Sequence, residues 1–143
     1  MMFMKSLVVV ATLALSALAQ SISIGAPAQG STVCAGCNIK VEVDRPNSLT
    51  GSEEVAIIIA MRSCNSGGCI SPEDALGNVL YTGPYNPQYS TTPDGKPPHQ
   101  NFTVEVPTSF ITGPATLSVT HFSLIGAGPE PFLEFKNVTV HVA

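Results

Sequence analysis

VAIIIAM, residues 55–61, is the stretch on which the fold turns. It stays apolar until Arg62, and Val55, Ile57, Ile58 and Ile59 are β-branched. Branched side chains lose rotamer freedom in a helix and pack well on a pleated surface. A short run of this kind predicts a central strand covered on both faces.

Moving outward, residues 38–43 alternate strictly: Ile39, Val41 and Val43 face one way, Lys40, Glu42 and Asp44 the other. Arg45-Pro46-Asn47 breaks that strand, and a first strand over 21–24 ends at Gly25 and Pro27. Downstream, Ser71-Pro72-Glu73-Asp74 opens about one helical turn, with a capping serine and proline at the first helical position. Gly77 stops it, so it is a connector. A short strand over 79–81 enters a proline-rich loop, with a brief edge strand near 88–90. Residues 101–106 point Phe102, Val104 and Val106 inward. In 115–125 the apolar side shifts from Leu117 and Val119 to Phe122 and Leu124. In the last strand it shifts from Leu133 and Phe135 to Val138, Val140 and Val142. Each change of parity predicts a bulge, the second near Lys136. The result is an all-β chain: an immunoglobulin/fibronectin-like two-sheet antiparallel sandwich of seven or eight strands. Ile57, Ile59, Phe102, Val104, Leu117 and Val119 form its expected core.

Residues 1–19 read as a cleaved signal peptide. Lys5 precedes an apolar core, and Ala17-Leu18-Ala19 is a small-x-small cleavage signal. Residues 20–143 then make a single domain with five Lys and Arg against ten Asp and Glu. That balance disfavours nucleic acid and anionic membranes as partners. No later segment is long and apolar enough to insert in a bilayer as a helix. The absence of tryptophan counts against a typical sugar-stacking module, although tyrosine can substitute.

Cys34, Cys37, Cys64 and Cys69 are an even set in an exported chain, which points to disulfides over zinc or redox chemistry. Four cysteines allow three connectivities. Local spacing favours Cys64 with Cys69 and Cys34 with Cys37, while the crossed alternatives would join two loops. Asn101-Phe102-Thr103 and Asn137-Val138-Thr139 are glycosylation sequons with outward parity.

Catalytic signals are weak. His99, His121 and His141 share no ligand spacing, no nucleophile elbow is present, and Glu53-Glu54 and Glu73-Asp74 suit structural roles. His121 has the parity of a satisfied core histidine. No catalytic residue, metal or cofactor is expected. The proline-rich loop is the candidate binding surface, through Tyr85, Tyr89, His99, Pro97 and Pro98, together with the turn at 126–131. Prolines reduce the freedom lost on binding, and tyrosines are good anchors. The alternative is that Tyr81 and Tyr85 pack onto the sandwich edge and the prolines protect that edge from strand addition.

VEVDRPNSLTGSEEVAIIIA, PED, YTGPYNP, KPPHQNFTV, HFSLIGAGPEPFLEF and NVTV, in that order, give the chain a further character. It resembles the necrosis-inducing secreted effector family of plant-associated fungi, over essentially the whole mature chain. The resemblance implies a small secreted, non-enzymatic protein acting at or in host plant cells; a monomer is expected. Such a protein suppresses pattern-triggered immunity by binding immune receptor-like kinases, and some members induce cell death. It also implies that the Cys64/Cys69 loop belongs to the family pattern and that Cys34/Cys37 is an addition. A cell-surface or cell-wall structural or adhesive glycoprotein is the competing expectation, and a secreted hydrolase a third.

Overall fold

The computed structural model describes residues 21–47, 51–65 and 67–143; the expected signal peptide lies outside the described residues. Among the described residues, eight strands form two sheets. β1 (Ser23–Ala26), β3 (Asn38–Asp44) and β6 (His99–Glu105) make a three-stranded sheet in the order β1-β3-β6. β2 (Thr32–Val33), β4 (Ser52–Ser63), β5 (Asn78–Gly83), β7 (Gly113–Ile125) and β8 (Glu130–Val142) make the other, in the order β2-β8-β7-β4-β5. This is an immunoglobulin-like two-sheet sandwich. Its pairings are antiparallel except for the short parallel contact of β2 with β8. β2 was not anticipated, being two residues long. The expected edge strand near 88–90 is a single bridge between Gln88 and His99. Ser71 to Ala75 form one turn closed by bonds from the Asp74 and Ala75 amides to the Ser71 carbonyl.

The apolar run 55–61 is central, paired with β5 on one side and β7 on the other. Ile57, Ile59 and Met61 are fully buried between the sheets with Leu117, Val119, Val41, Phe102 and Val104. All six expected core residues are there. The opposite face of β4 was expected to be covered as well, and it is so only in part: Ala60 is fully buried, but Ala56 and Ile58 are half-buried and Val55 is 41% exposed. Apolar content on both faces therefore did not mean a third layer.

The two expected bulges are also absent. β7 and β8 pair residue for residue from Gly113–Val142 to Ile125–Glu130 with no register shift. Parity is kept, so His121 and Ser123 continue the inward face of Leu117 and Val119, while Phe122, Leu133 and Phe135 turn outward. The register shifts lie instead between Glu54 and Ala56 of β4 against β7, at Ile59 and Ala60 of β4 against β5, and at Ile24 and Ala26 of β1 against β3. The parity argument assumed that apolar side chains go inward; here charged ones do, because they satisfy one another.

The disulfides are Cys34–Cys37 and Cys64–Cys69, each closing a short local ring. Gly77 is required at the start of β5. It has φ of +80°, and a Cβ there would lie 2.6 Å from the Met61 carbonyl oxygen.

Candidate functional site

One end of the interior is ionic. Arg45 follows β3, Glu54 stands on β4, His121 on β7 and Glu134 on β8, directly opposite His121 in the register. His121 is 0% exposed. Its Nε2 faces a Glu54 carboxylate oxygen, and its Nδ1 lies 3.3 Å from Glu134 Oε1. A ring flanked by two carboxylate acceptors must donate from both nitrogens, which is the imidazolium form. Burial pulls the His121 pKa down, but the hydrogen bonds to Glu134 and Glu54 outweigh it, and the net direction is up. Burial pushes Glu134 up; His121 and the Ile22 and Ser21 donors overcome that and hold it below the ordinary carboxylate value.

Arg45 Nε donates to Glu54 Oε1 at 2.7 Å, and its other nitrogens reach the Pro46 carbonyl and Ser52 Oγ. Two cations and two carboxylates thus balance inside the protein. Ser21 Oγ donates to Glu134 at 2.8 Å and the Ile22 amide donates to the same carboxylate, so the start of the described chain is tied to its last strand.

Tyr85 closes this cluster. It is 4% exposed, its hydroxyl donates to the Val43 carbonyl at 2.9 Å, and its ring meets His121 edge-on at 5.6 Å. Burial, then the nearby Glu54 charge, raises its pKa. Tyr85 is therefore a core residue and offers no surface anchor; the aromatic body filled the gap between the sheets. Tyr89, at 61% exposed, does remain available, held through its hydroxyl by Asn47 Nδ2. Pro97, Pro98 and His99 are half-buried, and His99 Nδ1 lies 2.8 Å from the Pro97 carbonyl.

The loop is also strapped to the three-stranded sheet. Lys96 Nζ pairs with Glu42 Oε2 at 3.0 Å. Glu42 was expected to point into solvent beside Lys40 and Asp44; it is 4% exposed because Lys96 covers it and Gly25 leaves room beside it. Desolvation and then the neighbouring Glu42 raise the Asp44 pKa to about 6. Burial opposes Glu42 ionisation, but Lys96 and Asp44 hydrogen bonds bring its pKa below the usual value.

Two concavities open at this end. One of about 330 Å³ is lined by Arg45, Ser52, Glu54, Asn86, Pro87 and Pro98. The other, about 560 Å³, is lined by Ser52, Glu53, Leu124, Gly126, Ala127 and Pro129. Both include Gly51 and Ser52, so the proline-rich loop and the β7–β8 turn flank the same β3–β4 connection. The two segments proposed from sequence as a joint surface are thus neighbours. Among the described residues, no three His, Cys, Asp or Glu side chains are grouped to hold a metal ion. Asn101 and Asn137 are exposed, on different sheets.

The sequence reading missed the ionic quartet. A usable signal was present: His121 and Glu134 lie at equal distances from the 126–129 turn, both on inward parity.

Together these features define a two-sheet β-sandwich with local disulfides, a buried charge cluster, and the proline-rich loop and β7–β8 turn side by side at one end. Residues 17–141 match the Nis1 family, and the chain belongs to it. No curated protein matches the sequence. A solved structure described as "Structure or murine CRIg" aligns over 86% of this chain and 98% of that one, at 11% identity and a TM-score of 0.42.

Proposed function

We propose that the protein is a secreted, non-enzymatic effector that suppresses pattern-triggered plant immunity by binding immune receptor-like kinases, and that it can provoke host cell death. Membership of the Nis1 family over residues 17–141 carries this reading. The placement of the proline-rich loop and the β7–β8 turn around one connection supports a binding surface at that end, with Tyr89 its exposed aromatic. The enclosure of His121 supports a structural role for the charged quartet over a catalytic one. Both disulfides are local: Cys64–Cys69 lies within one loop, and Cys34–Cys37 closes only the short turn from β2 to β3, which supports a sandwich that keeps its shape on either side of the host membrane, including in reducing cytosol.

The test is direct binding of the mature protein to a panel of plant receptor-like kinases, extracellular and kinase portions separately. Saturable binding to one portion, lost on Tyr89→Ala with fold retained, is expected. Absence of binding to any member, alongside normal folding, would overturn the reading.

A further inference from the structure

The outward face of the five-stranded sheet is apolar where the inward face is charged. Ala56, Phe122 and Leu133 form one cross-strand row, and Ile58, Thr120 and Phe135 form the next. Leu133 is 57% exposed, and Ile58, Phe122 and Phe135 are half-buried. A lone exposed leucine is ordinary, but adjacent rows of this kind are a patch that calls for a cover. The third row is Ala60, Ser118 and Asn137. Asn137 is exposed and heads the sequon Asn137-Val138-Thr139. It shares the outward parity of Leu133 and Phe135, and lies two residues from Phe135, about 7 Å along the strand.

We infer that Asn137 carries an N-linked glycan and that its first sugars lie on this patch, covering Phe135 and Leu133. The inference rests on the proposed secretion, since the glycan is added in the export pathway. The chemistry fits: the C–H face of a pyranose packs on an aromatic ring, while its hydroxyls remain hydrated. A covalent tether in the adjacent row supplies the sugar at high effective concentration. Among the described residues, the edge of β8 away from β7 also has no strand beside Asn137, because β2 pairs only with His141 and Val142. A glycan there screens that open edge as well. Asn101 is the internal contrast. It sits on the other sheet opposite Glu42 and beside exposed Thr103, with no apolar row to cover.

The experiment uses the full chain exported from a fungal host. Peptide mapping after glycosidase treatment reads occupancy, and binding of an apolar-surface dye and size-exclusion elution read the face. Occupied Asn137 is expected. Enzymatic removal of the whole glycan should raise dye binding several-fold, trimming to the first sugar should raise it little, and Asn137→Gln should reproduce the full removal. Leu133→Ser added to Asn137→Gln should bring the signal back down; Asn101→Gln should leave it unchanged. An empty Asn137 in exported protein overturns the inference and leaves the secretion reading standing. So does an occupied Asn137 whose removal changes nothing, or a glycan-free dimer with the patch at its interface in the exported protein. A chain retained in the cell with residues 1–19 uncut would overturn secretion and, with it, the glycan.

Discussion

The two halves of the interior are built on the same strands and solve burial in opposite ways. Around Ile59, Leu117 and Val104 the sheets meet through hydrocarbon alone. A few residues further along β4 and β7, Glu54 and His121 take the same inward positions and are matched by Arg45 and Glu134. The apolar half tolerates loss of a group in proportion to the hole left behind. The ionic half tolerates loss of the whole set better than loss of one member, because one missing partner strands a buried charge. Parity decides which side chains enter the interior; pairing decides whether the polar ones can stay.

The largest effect should come from breaking the ionic half singly. Glu54→Ala leaves Arg45 and His121 facing each other without their shared carboxylate, and should cost about 3–5 kcal/mol of stability in urea unfolding. A loss below about 1 kcal/mol would show that water or Glu134 takes over. Ile59→Ala tests the apolar half, with an expected cost of about 2–5 kcal/mol. If Ile59→Ala proved neutral, β4 would not be the central strand.

Proton linkage separates the halves without mutation. The folded His121 pKa is raised, so its contribution is fully present below the unfolded histidine value of about 6.5. It is lost as the pH rises through the folded value. Asp44, raised to about 6, acts in the same direction: folding favours its protonated form, and that advantage fades between about pH 4 and 6. Glu134 is lowered, so its contribution is present above about pH 4.5 and lost as the pH falls through its folded value. The urea midpoint should therefore be higher near pH 5 than near pH 8.5. His121→Gln should flatten the alkaline fall, and Ile59→Ala should leave its slope intact; an equal fall in the His121 variant would contradict the assignment.

Smaller still is the expected effect of the local rings. Cys64→Ser with Cys69→Ser should cost on the order of 2 kcal/mol and leave cooperative unfolding in place. Smallest is Tyr89→Ala, an exposed change expected to stay within about 0.5 kcal/mol while removing the aromatic from the loop surface.

What could be read from the sequence divides along the same line. Strand positions, the buried face of β4 and the six core residues were legible because alternation of apolar residues reports the apolar half directly. In the ionic half the same rule misled. Phe122, Leu133 and Phe135 looked like inward residues and Lys136 like a bulge, since hydrophobicity carries no sign of which polar groups will find partners. Arg45 follows a strand of one sheet and Glu54, His121 and Glu134 come from three strands of the other, a meeting that no local window contains. Tyr85 had an equally good local reading as an anchor; only the depth of the gap beside Val43 and His121 makes it core. Glu42 was misplaced because Lys96, 54 residues away, covers it.

The clasp between Ser21 and Glu134 spans 113 positions, and the pairing of β2 with β8 is nearly as distant. Ser21 and β2, made early, thus wait for β8, made more than 100 residues later. Until β8 arrives, Leu117 and Val119 have no neighbour on one side and His121 has only one of its two acceptors. The native topology consequently cannot close on a partial chain, which concentrates folding into one late, slow event dominated by non-local pairing.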